Sequence, residues 1–269
     1  MPASTTEPMG SEFTVLAHRL ADAAGRAVLP HFREPLDILN KAGTGFDPVT
    51  EADRAAERAM REILENVRPG DGILGEEYGG KPSRSGLTWV LDPVDGTRAF
   101  IAGIPVWGTL IALNDGGTPV LGMIDQPFLG ERYWGCGGEA RARAAGEEQL
   151  ICVRKCGALD AAILSTTTPE MFKRGTELDA YWRLARTCRF IRFGGDCYAY
   201  AMLARGLIDL VVEAALQPYD IQAPMALVEA AGGIVTDWRG GPAGNGGRCI
   251  AAADRAVHEQ ALELLRPGA

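Results

Sequence analysis

Histidine is scarce in this chain, with three residues in 269. A catalyst built on clustered imidazoles is therefore not expected. Cysteine is present but unpaired in pattern. None of Cys136, Cys152, Cys156, Cys188, Cys197 and Cys249 forms a CxxC motif. Cys152 and Cys156 lack the second pair or nearby His that a zinc site needs, so all six read as reduced structural thiols. Long apolar runs are missing too. The best stretch, residues 104–113, contains Gly108 and Thr109 and falls far short of the roughly 20 residues of a membrane helix. A basic excess is also absent: Lys plus Arg total 27 against 35 Asp plus Glu, a net charge of −8. That excludes a nucleic-acid partner held mainly by a basic surface. The first ten residues have neither the basic start nor the apolar segment of a secretory signal. Residues 1–10 are expected to be a disordered tail on a cytoplasmic protein. Repeats and low-complexity tracts are lacking. What remains is an ordinary globular composition, 46% hydrophobic and 23% charged, on a chain long enough for a sizeable core.

Periodicity places an amphipathic helix over residues 11–29, with Phe13, Leu16, Ala17, Leu20, Ala24, Ala27 and Val28 on one face. A second covers about 50–67, with Ala52, Ala56, Ala59, Met60, Ile63 and Leu64 as its stripe. Short strands follow at 72–74 and 88–91. Strands at 106–113, 120–126 and 131–134 are joined by tight turns that suit an antiparallel meander. The second half alternates: strands at 161–165, 190–193, 208–212 and 233–236, helices at 177–185, 197–204, 221–231 and 255–265. This predicts a layered α/β (α+β) protein. One unit is expected over 11–269, with sub-regions of about 11–150 and 151–269.

Four acidic motifs carry the chemistry. In Trp89-Val90-Leu91-Asp92-Pro93-Val94-Asp95-Gly96-Thr97 an apolar strand runs into two carboxylates, then a Gly-Thr step resembling a helix start. Carboxylates at a strand end can share a hard cation. Gly96 permits close approach of a ligand, and amides at a helix start can cradle a phosphate. A solvated turn explains the same residues equally well. Gly75-Glu76-Glu77-Tyr78-Gly79 is either a ligand-bearing loop or a charged surface turn. In Asp47-Pro48-Val49-Thr50-Glu51-Ala52-Asp53, Thr50 and Asp53 suit a helix cap. Pro218-Tyr219-Asp220-Ile221 also fits simple capping.

Taken in this order and spacing, the motifs resemble the inositol monophosphatase superfamily of magnesium-dependent phosphatases, from the 47–53 segment through Gly232-Gly233. The resemblance implies the αβαβα fold shared with fructose-1,6-bisphosphatase. It implies side-chain metal ligands Glu76, Asp92, Asp95 and Asp220, joined by the Val94 carbonyl. Two to three Mg²⁺ per subunit are implied, with Mn²⁺ as a substitute and Li⁺ as an inhibitor. Glu76 would help hold and activate the attacking water, and the Thr97 hydroxyl, oriented by Asp53, would assist. The Gly96 and Thr97 amides would bind phosphate. Lys41 would stand near it, or be a plain surface lysine. Glu77 would support the ligands from behind. A homodimer is implied, and no membrane or nucleic-acid partner.

Substrate choice rests on the departures. Arg98 follows Thr97 where many inositol phosphatases have Asn, and its role stays open. Phe193-Gly194-Gly195-Asp196-Cys197-Tyr198 carries an acid where inositol phosphatases commonly carry small residues. Glu213 precedes the Asp220 motif. Two acids on the substrate side suit an amine-bearing phosphomonoester. These segments are similar to the histidinol-phosphate phosphatases of the superfamily, which convert L-histidinol phosphate and water to L-histidinol and phosphate in histidine biosynthesis. A helix cap at Asp196 and a surface acid at Glu213 are the bland explanations. An inositol-1-phosphate phosphatase with broad monoester tolerance is the alternative activity. The sequence shows no aromatic and basic pocket of the kind a bisphosphate nucleotidase needs, and Asp196 and Glu213 oppose the cationic site that fructose-1,6-bisphosphatase needs. A non-catalytic metal-binding homologue fits poorly with an intact acid set.

Overall fold

Two amphipathic helices open the described chain. The computed structural model describes residues 10–35, 39–40 and 48–269; Lys41 and Asp47 lie outside them, as does nearly all of the expected 1–10 tail. Helix α1 (Gly10–Val28) buries Leu16, Ala17, Leu20, Ala24 and Val28, the expected stripe. It ends in a 3₁₀ turn at Leu29–His31, where Pro30 removes a backbone donor. The two-residue strands β1 (Leu39–Asn40) and β2 (Pro48–Val49) pair antiparallel. Thr50 then caps α2 (Glu51–Val67). Its hydroxyl accepts the Ala52 N–H at 3.2 Å, and Asp53 reaches back to the Thr50 N–H at 2.9 Å. This reciprocal arrangement satisfies donors that a helix start leaves unpaired.

The first sheet follows. Its strands are β3 (Gly72–Gly75), β4 (Gly79–Lys81), β5 (Thr88–Asp95), β6 (Gly108–Asn114), β7 (Pro119–Gln126), β8 (Glu131–Cys136), β9 (Glu139–Ala144) and β10 (Glu147–Ile151). The short helix α3 (Thr97–Ile101) stands between β5 and β6. The spatial order is β10-β9-β8-β7-β6-β5-β3-β4. The meander from β6 to β8 is as expected. Strands β4, β9 and β10 add to the sequence reading. β9 alternates charged residues with alanine, β10 opens on two glutamates, and Arg141 and Arg143 pair with Glu148 across them. Strand β5 also runs four residues further than read, through the Asp92–Asp95 motif.

The second sheet contains β11 (Ile163–Thr166), β12 (Phe190–Phe193), β13 (Leu210–Leu216), β14 (Ile234–Asp237) and β15 (Gly247–Ala252). Helices α4 (Thr176–Ala185), α5 (Asp196–Ala204), α6 (Pro218–Ala230) and α7 (Arg255–Leu265) connect or cover them. The order is β12-β11-β13-β15-β14. Strand β15, antiparallel between β13 and β14, was not anticipated. Its Cys-Ile-Ala-Ala core is short and alanine-rich, weak evidence for a strand without its neighbours.

Packing stacks these elements in five layers. Helices α1 and α2 cover one face of the first sheet through Leu20, Met60, Leu64, Trp89 and Ile111. Helices α5 and α6 fill the space between the sheets. Tyr200 and Leu227 join Ile124 and Tyr133 of one sheet to Val211 and Ala251 of the other. Helices α4 and α7 close the far side around Tyr181, Trp238 and Leu262. The result is the expected αβαβα order. The close seat of α6 requires glycine beneath it: a Cβ on Gly135 would stand 2.8 Å from the Ala226 carbonyl.

Candidate active site

Strand β5 delivers two carboxylates to one side of its sheet through an irregularity. Asp92 is registered with Leu110 and Asp95 with Gly108, so three steps on β5 match two on β6. In a regular strand, residues three apart point to opposite faces; the bulge returns Asp95 to the side of Asp92. The distorted backbone is held. The Val94 N–H donates to Asp92 Oδ1 at 3.0 Å, and the Thr109 hydroxyl donates to the Pro93 carbonyl at 2.8 Å.

Asp220 arrives from the first turn of α6. It accepts the Gln217 N–H at 2.7 Å, so capping is part of its role. The same carboxylate also converges on the pair from β5: one oxygen from each of Asp92, Asp95 and Asp220 lies within 4.8 Å of the others. Pro224 sits one turn along and lacks the N–H that would bond the Asp220 carbonyl in a regular helix. Glu76 follows β3, the parallel neighbour of β5, and its N–H bonds the Leu91 carbonyl at 3.2 Å. That sets it beside Asp92.

Four acids in one cleft repel one another. Burial, then Glu76, Asp95 and Asp220, holds the Asp92 carboxyl well above the usual carboxylate range. Burial, then Asp196 and Asp220, does the same for Asp95, opposed by the Cys197 hydrogen bond. The cleft encloses about 400 Å³, with Glu76, Asp92, Asp95, Thr97, Tyr219 and Asp220 on its walls. A partly buried set of hard oxygen donors with excess negative charge fits a divalent cation, which would neutralise it.

A glycine-led helix start adjoins it. Gly96 has φ +81° and leads into α3. A Cβ there would meet Asp196 Cβ at 3.1 Å and the Trp107 Cα at 3.3 Å, so glycine is needed for packing as well as for its backbone angle. The Thr97 hydroxyl donates to the Val94 carbonyl at 3.1 Å. Both residues line the cleft. Asp53 is buried, with one oxygen taking the Thr50 N–H and hydroxyl. Helix α3 packs on β2, directly ahead of that cap.

The two acids expected on the substrate side, Asp196 and Glu213, differ from each other. The N-cap of α5 is Gly195, not Asp196, which removes the capping explanation. Asp196 is the first helical residue, has φ +42°, and lies against Gly96. Burial, then Glu213, pushes its carboxyl up to about 6, with Arg98 opposing. Glu213 is only 4% exposed, so it is not a surface acid. It accepts the Thr167 hydroxyl at 2.5 Å and the Tyr200 hydroxyl at 2.9 Å. Glu77 is half-buried, and its N–H bonds the Glu57 carboxylate at 2.7 Å. Lys41 is outside the described residues. The sequence reading did not single out Glu57, Gln217, Tyr219 or Ala215. Glu57 had a signal: it sits one turn from Asp53, an acid within the apolar face of α2.

Layered sheets that carry convergent carboxylates beside a glycine-led helix start define an α/β class organised around an acidic cleft. A model of the inositol monophosphatase family matches residues 9–268. The bifunctional phosphatase IMPL2 of Arabidopsis thaliana chloroplasts is 42% identical, over 98% of this chain and 78% of that protein. A histidinol-phosphatase of Mycobacterium tuberculosis is 34% identical, over 97% and 100%. Among solved structures, an inositol monophosphatase from Zymomonas mobilis superposes with a TM-score of 0.85 at 45% identity, covering 97% of this chain and 100% of that one. The chain belongs to the inositol monophosphatase family. Enzymes of this family are phosphatases that use Mg²⁺. No helix among the described residues is long and apolar enough to cross a membrane.

Proposed function

We propose that this phosphatase hydrolyses L-histidinol phosphate, releasing L-histidinol and phosphate. The observation that carries the substrate is the placement of Asp196. It does not cap its helix. It packs against Gly96, which in this proposal binds the phosphate, and that places a carboxylate next to the proposed phosphate position. A carboxylate there suits an ammonium or imidazolium better than a polyol. Glu213 adds negative charge behind it. A direct substrate contact by Glu213 requires one of its hydrogen bonds to Thr167 or Tyr200 to open. The histidinol-phosphatase relatives support the same reading.

In this proposal Glu76, Asp92, Asp95, Asp220 and the Val94 carbonyl hold two to three Mg²⁺. The ions supply Lewis-acid stabilisation of the phosphoryl oxygens and make water a better nucleophile. Glu76 orients the water and takes its proton. The Thr97 hydroxyl assists, with Asp53 behind it. The Gly96 and Thr97 amides, together with Lys41, bind the phosphate, and Glu77 supports Glu76. Residues 11–269 act as one unit, since α5 and α6 pack on both sheets. We propose a homodimer as the working form.

The test is kcat/KM for histidinol phosphate and inositol-1-phosphate side by side in Mg²⁺. A preference of tenfold or more for histidinol phosphate supports the proposal. Equal values would replace it with a broad inositol-1-phosphate phosphatase.

A further inference from the structure

Three consecutive amides of the turn after β3 are tied down, two of them by one side chain. The Glu76 N–H bonds the Leu91 carbonyl. The Glu77 N–H donates to Glu57 Oε2 at 2.7 Å, and the Tyr78 N–H to Glu57 Oε1 at 3.2 Å. Glu57 has no exposed surface. Arg61, one turn along α2, donates its Nε to Glu57 Oε1 at 2.7 Å and its Nη2 to the Gly79 carbonyl. The Glu57 carboxylate is thus neutralised and hydrogen-bonded, which is how a buried charge is tolerated. It clamps the turn that carries Glu76.

Gly75 completes the device. Its φ is not positive, so backbone freedom does not explain it. A Cβ at this position would overlap the Glu57 carboxylate and stand 2.8 Å from Arg61 Nη2. Glycine is there to admit the acid.

We infer that Glu57 is a positioning residue that sets the affinity of the metal site by fixing the turn bearing Glu76. This rests on the metal-binding reading of the cleft. Groups that orient ligands in this indirect way typically govern metal affinity by about 10–100-fold. Glutamine at 57 keeps the size but presents an N–H to one of the donors, so part of the clamp is lost.

The test is Mn²⁺ binding, measured from the loss of the free-ion electron paramagnetic resonance signal. The unaltered chain, Glu57→Gln, Gly75→Ala and Asp209→Asn are compared. Asp209 is a control: it is buried far from the cleft and holds Arg154 and the Ile163 N–H. Glu57→Gln is expected to weaken Mn²⁺ by tenfold or more. It should raise the Mg²⁺ needed for half-maximal phosphate release in parallel, with kcat at saturating Mg²⁺ largely recovered. Gly75→Ala should behave alike, and it carries the test if Glu57→Gln does not fold. Asp209→Asn should melt earlier with Mn²⁺ affinity unchanged. Mn²⁺ affinity within twofold of normal in either clamp variant overturns the positioning role alone. No Mn²⁺ binding by the unaltered chain overturns the metal reading and this inference with it.

Discussion

The Cys197 backbone N–H donates to Asp95 Oδ2 at 2.8 Å, joining residues 102 apart in sequence. The first turn of α5 is thereby latched to the strand that carries Asp92 and Asp95. Asp95 has one oxygen fixed by this amide while its carboxylate remains in the cleft. The amide also holds Asp196, the neighbour of Cys197, beside the acidic cleft. One hydrogen bond therefore ties the convergent acids to the group proposed to select the substrate.

Replacing Asp95 with Asn should separate stability from activity. Burial and neighbouring acids raise the Asp95 carboxyl, so its charge opposes folding when no cation is present. Asp95→Asn keeps the Cys197 acceptor and removes that charge. Phosphate release should fall by about 10³-fold or more, the scale of losing a principal electrostatic group. Without metal, Tm should rise by about 2–4 °C per kcal/mol relieved. Calorimetry in a chelator and a phosphate-release assay check the two halves.

Metal should act as a stabilising ligand. Chelation is expected to abolish phosphate release, and Mg²⁺ to restore it. At 100 times its dissociation constant, Mg²⁺ stabilises by about 2.7 kcal/mol if it binds only the folded chain. Thermal melting across a Mg²⁺ series should show a steady rise. Li⁺ should lower activity in Mg²⁺, as expected from the family resemblance; a flat Li⁺ titration would argue against that metal arrangement.

Asp196→Asn should discriminate between substrates. A charge-assisted hydrogen bond contributes about 1.5–3 kcal/mol, so kcat/KM for histidinol phosphate should drop about 10–100-fold. For inositol-1-phosphate the change should stay within about threefold. Equal losses on both would mean that Asp196 serves only to pack against Gly96.

A pH response should originate far from the cleft. His18 accepts from Arg132 Nη1 at 3.1 Å through its ring Nδ1 and meets Trp134 edge-on. Burial, then Arg132 and Arg143, lowers it to about 4, with Asp22 and Glu148 opposing. Between about pH 4 and 6.5 the unfolded chain binds this proton and the folded chain does not. Stability is therefore full above pH 6.5 and declines as pH falls towards 4. The ring is half-buried, so the loss is roughly 1–2 kcal/mol after solvent screening. Denaturant melts of the native chain and His18→Gln at pH 7 and 4.5 should show a smaller acid loss in the variant.

Much of this site was legible before the structure because its residues cluster in short motifs. Asp92 and Asp95 sit three apart beside Pro and Gly, and Glu76 and Asp220 each border a recognisable element. Helical and strand periodicity pointed to a layered α/β protein, and the family resemblance supplied the five-layer order. Three things were not legible. The bulge at Asp92–Asp95 depends on pairing with β6, a tertiary fact. Strand β15 is stabilised by β13 and β14 on either side rather than by its own propensity. The enclosure of Glu213 comes from Thr167 and Tyr200, distant in sequence, and turns an apparent surface acid into a buried one. Long-range hydrogen bonding is what a single sequence conceals best.

The scattered origin of the acids has a consequence in time. Asp95 and Asp220 are separated by 125 residues (220 minus 95), yet their oxygens must meet. A ribosome extends a chain at about 5–20 residues per second, so Asp220 emerges roughly 6–25 s after Asp95. During that interval the first sheet can form while the cleft lacks its closing carboxylate and the α5 latch. The acid cluster of the cleft is thus complete only late in synthesis, once α6 has emerged.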